Sequence, residues 1–456
     1  MEKIDEILKK QREFFNTGKT KNVKYRLEHL RKLRKSILEN EGEIKKALKL
    51  DLNKSDSESY MTEIGMTLSE LSYDIRHVKS WCKNERVGTP LAHFPSRSFI
   101  SKEPYGITLI LSPWNYPFML LIEPLIGAIC AGNCAVLKPS EFAPNTANVI
   151  EKIIKECFEE DYVTVIQGDK DVSQALIEKN FDYIFYTGGT KVGKIVMQEA
   201  SKNLVPFTLE LGGKSPCIID EKYSMHLAAK RLLFGKLLNA GQTCIAPDYV
   251  LVNENVKEEF IEELKIVLKE FLGENPIENE DYPKIVNERH FDRLSNLIEG
   301  EKILVGGKVD KKLLKIEPTI LDNPKIDSKV MSEEIFGPIL PIISYKTIED
   351  AIAYVKKFEK PLALYMFTND KKIQNKIMNE LSFGGGCIND TIIHIANSNM
   401  GFGGVGYSGI GNYHGKRSFD TFSHERSITK KYGLDLPMRY MPYNDFKDKL
   451  IRMFLK

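Results

Sequence analysis

Between residues 106 and 202 the chain alternates short, unbroken apolar runs with longer helical patterns, and few folds accommodate that alternation. The runs 107–111, 135–137, 163–166 and 183–186 are separated by helical stretches over 117–131, from about 145, after 169 and over about 192–202. A strand that is apolar at every position must be covered on both faces, which a parallel sheet with helices on each side provides. Residues 106–209 are therefore expected to form a doubly wound, nucleotide-binding type of domain. A second series follows: runs at 217–219, 249–252, 339–343 and 362–367, with helices over about 225–238, over 257–272, from 348 and ending near 381. It predicts another α/β unit over roughly 210–395.

The flanking regions have a different texture. Leu27, Leu30, Leu33, Ile37, Ile44 and Leu48 recur at helical spacing in a Lys/Glu-rich background, so the first hundred residues are read as helices with a solvated charged face. Beyond 396 come a glycine cluster, Gly401 to Gly415, and a strand-like piece at 422–428. That segment has too few apolar residues to fold alone and is expected to lie across another element. The predicted organisation is 1–209, with a bridging segment at about 88–106, then 210–395, then 396–456 returning to the first domain and forming an oligomerisation arm.

Composition narrows the function. Across 456 residues, 65 Lys+Arg stand against 63 Asp+Glu, a net charge of +2 that carries no footprint for nucleic acid or an anionic membrane. The N-terminus interleaves acidic and basic residues, unlike a signal peptide. The most apolar stretch, 118–137, is broken by Glu123, Pro124 and Asn133, so no membrane span is expected. In the tail, Lys449, Arg452 and Lys456 among Leu450, Ile451, Phe454 and Leu455 suggest a surface helix too short to span a bilayer. Seven scattered cysteines with no CxxC, and histidines without ligand spacing, argue against disulfides or a metal site and for a cytoplasmic protein.

Six segments could carry chemistry. NAGQTC puts Cys244 among small, polar neighbours between a helix and a strand, where a thiol is accessible, although a lone cysteine is more often a small core residue. LELGGK ends an apolar strand on Glu210, whose surroundings should raise its pKa; a strand-end salt bridge is the competing reading. SPWNYPF sets Asn115 on the first strand-to-helix turn, as an oxyanion donor or as a turn cap. KPSE (138–141) and TGGTKVG (187–193) follow the second and fourth strands, and glycines opening a helix suit a pyrophosphate. Because Gly188, Gly189 and Gly193 do not spell GxGxxG, that signal is weak by itself. EEIFGP offers a carboxylate and an aromatic ring.

In this order, SPWNYPF, LELGGKSPC, GQTCIAPDY, EEIFGP, PLALYMF, FGGVG, NYHGK and FSHERS resemble the aldehyde dehydrogenase superfamily, closely its class 3 (fatty and aromatic aldehyde) branch, over nearly the whole chain. The resemblance implies oxidation of aliphatic or aromatic aldehydes to acids by NAD or NADP, through a thiohemiacetal and a thioester on Cys244. It implies Glu210 as general base and Asn115, with the Cys244 N–H, as oxyanion hole. Lys138 and Glu141 would contact the adenosine ribose, Gly188 and Gly193 would form the pyrophosphate turn, and Glu334 and Phe336 would flank the nicotinamide ribose and ring. Tyr116 and Ile395 would line an apolar substrate tunnel. A homodimer is implied, its arm pairing with the partner's sheet. Two departures stand out: Gly189 replaces a hydroxyl-bearing residue, and Cys387 lies in a glycine-rich stretch read as packing beside the site. Transfer of the acyl group to coenzyme A, and a non-redox thiol esterase, are the alternatives; Glu210 argues against the first and the absence of a nearby histidine in sequence against the second.

Overall fold

The expected alternation is realised as two largely parallel sheets. In the computed structural model, which describes residues 2–455, the strands Ile107–Leu111, Cys134–Lys138, Val163–Val165, Tyr183–Thr187 and Phe207–Glu210 run parallel. Every residue of the 107–111, 134–138 and 183–187 strands is buried, as two-sided coverage requires. Spatially, 107–111 lies between 134–138 and 183–187. The chain thus builds outward in one direction and then returns to the other side of its first strand. The loops that leave 107–111 and 183–187 diverge there, and such a switch point opens a crevice at the carboxyl ends of the strands.

The second sheet has the order Ile303–Val305, Thr319–Asp322, Ile339–Tyr345, Tyr249–Asn253, Pro216–Ile219, Ala363–Phe367, Gly385–Ile388, parallel except at the first pair. Its edge strand 385–388 escaped the sequence reading because half of its residues are glycine. The glycines have a packing reason: a Cβ on Gly386 would lie 1.9 Å from the Leu364 carbonyl oxygen of the neighbouring strand.

The helical expectation for the first hundred residues holds to Trp81 and fails beyond it. Glu85–Val87 and Ser96–Pro104 are strands, joined by Ser423–Lys431 in a three-stranded antiparallel sheet. The expected solvated face also needs correction. Arg26, Asp51, Lys54, Glu58, Glu63, Glu70 and Asp74 are buried, because this layer packs on the first sheet and its loops: Lys54 pairs with Glu63, Arg26 donates to main-chain carbonyls and Asp51 accepts from Thr146. Leu30, Leu33, Ile37, Ile44 and Leu48 are fully buried, as their spacing predicts. The C-terminal segment lies across the first sheet: Gly409–Ile410 pairs antiparallel with Phe207–Glu210, setting Gly409 opposite Glu210. The tail forms the helix Asp445–Phe454, none of it buried, while Lys456 lies outside the described residues. Among the described residues no helix is long and apolar enough to cross a membrane.

Candidate active site

Three loops converge at the crevice. The first follows strand 107–111 and carries Asn115. The second is the end of strand 207–210, whose last residue is Glu210. The third follows the helix Met225–Leu237, turns sharply through Asn239 and Ala240 at φ +50° and +51°, and delivers Cys244. Gly241 continues the turn at φ +75°, where a Cβ would lie 2.3 Å from the Gly337 carbonyl oxygen, so only glycine fits.

Cys244 and Glu210 stand where two cavities meet. One, of about 220 Å³, is almost wholly apolar and is lined by Met66, Tyr116, Met119, Phe234, Ile395 and Phe402 among others. The other, of about 560 Å³, is a more polar cleft bounded by Asn115, Gly188, Gly189, Arg293, Glu334 and Phe336. Both share Leu120, Thr187, Glu210, Leu211 and Cys244 as a common wall. The structure therefore brings together Asn115, Glu210, Cys244, Gly188, Glu334, Phe336, Tyr116 and Ile395. Gly193 does not reach the cleft: it lies within the helix Thr190–Lys202, its α-carbon packed on Leu211. Lys138 and Glu141 stand at the end of the adjacent strand rather than in the cleft wall, 3.7 Å apart, with Lys138 Nζ donating to the Pro139 carbonyl. Cys387 borders a different hollow, under the edge strand, where its Sγ is 3.6 Å from His394 Nδ1; it is not beside the site.

The electrostatics match a proton-handling centre. Glu210 is 2% exposed and neither carboxyl oxygen has a hydrogen-bond partner among the described residues, so burial raises its pKa well above the carboxylate range. The Cys244 thiol faces the cavities, and burial, then Glu334 and Glu210, push its pKa up to about 12. Burial holds Glu334 up to about 8, largely protonated at neutral pH and able to donate. Asn115 Nδ2 donates to the Gln242 carbonyl at 3.0 Å, which leaves its second N–H unused.

Gly189, Thr190 and Lys191 border the cleft where the helix Thr190–Lys202 begins, and Gly189 offers no side-chain cap; an uncapped helix N-terminus suits an anion. Phe336 meets Trp114 edge-to-face at 5.5 Å, giving an aromatic wall. Trp114, Thr187, His290 and Arg293 also border the cleft; Trp114 and Thr187 lie in segments singled out from the sequence without a role of their own, and His290 and Arg293 were missed. Trp114 was within reach, being adjacent to Asn115; His290 and Arg293 lie on a helix with no motif of its own.

The aldehyde dehydrogenase family model matches residues 1–428. The chain belongs to the aldehyde dehydrogenase family. It is 51% identical over 446 residues to the 4,4'-diaponeurosporen-aldehyde dehydrogenase of Staphylococcus aureus, covering 97% of each chain. It is 42% identical over 445 residues to the dimeric NADP-preferring aldehyde dehydrogenase of Canis lupus familiaris, covering 97% of this chain and 98% of that one. A solved structure of the substrate-bound state of Staphylococcus aureus AldH superposes with a TM-score of 0.97 at 49% identity, over 99% of both chains. As a member of this aldehyde dehydrogenase family, the chain is an NAD(P)-dependent oxidoreductase that converts aldehydes to acids.

Proposed function

We propose that apolar aliphatic or aromatic aldehydes enter by the 220 Å³ cavity, that Cys244 attacks them, and that Glu210 drives hydrolysis. The observation that carries this reading is the shared wall: a thiol and a carboxyl unpaired among the described residues stand where an apolar pocket meets a more polar cleft. Cys244 gives up its thiol proton to solvent as it adds to the carbonyl, and the developing alkoxide takes the free Asn115 N–H and the Cys244 backbone N–H. When bound, the oxidised nicotinamide supplies the hydride acceptor and a positive charge near the thiol. Glu210 then accepts a proton from water, which adds to the thioester; the thiolate departs as the acid is released. Burial, which raises this carboxyl's pKa, makes it a stronger base for that task.

Glu334 and Phe336 would orient the nicotinamide end and Gly188 the pyrophosphate, with Lys138 and Glu141 at the adenosine end. An ammonium and a carboxylate side by side there favour use of both NADP and NAD. Glu210 favours water over coenzyme A as acyl acceptor. The thiol-esterase reading is weakened because His290, the histidine in the cleft wall, packs on Trp114 and is held down to about 4 by burial and its arginine neighbours. Its exposed edge strands, 385–388 and 423–431, suit pairing between two copies of this chain, and a dimeric relative supports that assembly. We place it in the cytoplasm on its scattered, unpaired cysteines. The test is a panel of aldehydes with each cofactor: the expected result is one reduced cofactor per acid formed. Cys244→Ala should abolish turnover while still binding cofactor; full turnover by that variant refutes the assignment.

A further inference from the structure

Three charged side chains of the N-terminal helical layer reach the two loops that carry the reaction. Lys54, fully buried, donates to Glu63 Oε1 at 2.6 Å and to the main-chain carbonyl of Asn115 at 3.1 Å, and its ammonium lies 3.9 Å from the centre of the Tyr116 ring. With its other oxygen Glu63 accepts the N–H groups of Phe118 and Met119 at 2.9 and 3.2 Å, at the start of the helix Met119–Ala131. Glu58 accepts the N–H of Asn239 at 2.7 Å. Asn239 Nδ2 in turn donates to the same Asn115 carbonyl at 2.8 Å and to Gln242 at 3.1 Å. Tyr116 closes the circuit by sharing a 2.6 Å hydrogen bond with Thr243, the residue before Cys244.

These bonds have a common address. The Asn115 carbonyl is held from one side by Lys54 and from the other by the nucleophile loop. That loop is left-handed at Asn239 and Ala240, a conformation that side chains disfavour and that persists only where surrounding bonds over-determine it. Glu58 lies just before a widened turn, Tyr60–Ile64, and Glu63 within it, and the π-type geometry offsets one helical face from the next. A buried ion pair is a poor way to add stability, since apolar residues of similar volume often do as well. Apart from bonding each other, Lys54 and Glu63 spend their hydrogen bonds on the loop 115–119.

We propose that Lys54, Glu58 and Glu63 form a buried positioning frame that sets the Asn115 amide and the Cys244 thiol at the separation needed for attack on the aldehyde. The proposal rests on the roles given above to Asn115 and Cys244. None of the three lines either cavity; they act through the loops they hold. Misplacing reacting groups by about 1 Å can cost on the order of 10² in rate.

The experiment uses the full-length enzyme and Lys54→Met/Glu63→Gln, which removes both charges and leaves neither unpaired, with rates expressed per Cys244 titrated by a thiol alkylator. The expected result is a kcat lower by on the order of 10², with KM for an apolar aldehyde and the dissociation constant for NADP unchanged. Glu58→Leu, unable to accept from Asn239, should show the same kcat-specific loss, and Glu58→Gln, which can accept, should recover most of it. A purely structural role would lower the titratable fraction and leave kcat per site intact, which overturns the frame. If the double variant fails to fold, the Glu58 pair decides: equal kcat per site for Glu58→Leu and the unmodified enzyme overturns it. Cys244→Ala separates the two ideas, because turnover by that variant refutes the parent reading, whereas an inert Cys244→Ala beside a fully active frame variant refutes the frame alone.

Discussion

Replacing Glu210 by Gln divides the reaction at its middle. The side chain is 2% exposed, and its two carboxyl oxygens bond to nothing among the described residues, so an isosteric amide leaves no buried partner orphaned. Folding should change by no more than about 1 kcal/mol. Chemistry should change far more, since loss of a general base costs on the order of 10² to 10⁴ in rate, or about 3 to 5 kcal/mol of barrier. Because the base acts after the thioester forms, rapid mixing with NADP and aldehyde should give a burst approaching one reduced cofactor per site, followed by slow turnover. The pH profile adds a second signature. Burial raises the carboxyl's pKa, so in the unmodified enzyme the base is present above that value and lost as pH falls through it. Steady-state turnover should decline on that acid limb, and Glu210→Gln should lack the limb. Normal turnover by the variant, or persistence of the limb, refutes the assignment. A missing burst would move Glu210 to deprotonation of Cys244.

Two further outcomes can be checked. Lys214→Met removes the ammonium that pairs with Asp248 and donates to the carbonyls of Val330 and Glu333 at 3.0 and 2.8 Å; stranding a buried carboxylate should cost about 3 to 5 kcal/mol, read as a lowered urea midpoint, and an unchanged midpoint contradicts it. Ile388→Asp and Ile428→Asp place charges on the two exposed edge strands, and together they should convert a dimer to monomers in light scattering without loss of the folded state; a persistent dimer places the interface elsewhere.

The fold was legible wherever one physical rule acted alone. Two-sided burial demands unbroken apolar strands, and 107–111 and the helix Lys257–Leu272 appear where that texture and the helical period put them. Glu210 could be singled out because an acid between two leucines at a strand end is costly to bury. Lys54, Glu58 and Glu63 could not: in a polar, charged stretch a buried pair and a solvated face have the same sequence, and only the packing of distant loops distinguishes them. Gly385–Ile388 was hidden for the opposite reason, since close backbone approach removes the side chains by which strands are recognised. The apolar tunnel was glimpsed through Tyr116 and Ile395. Phe402 and Tyr413, its far wall, come from the glycine-rich segment and had no periodic pattern to announce them.

The pairing of Gly409 with Glu210 carries a consequence for synthesis. The strand Phe207–Glu210 is complete before half the chain has been made, yet its outer edge is covered only by Gly409–Ile410. A ribosome-bound chain can assemble the inner strands of the first sheet early, but it holds the Glu210 edge open until about nine tenths of the protein has emerged. The cleft walls are complete only once Phe336 has been made, and still before Gly409 can cover the Glu210 edge; chains that terminate between the two should accumulate with a pairing-competent edge.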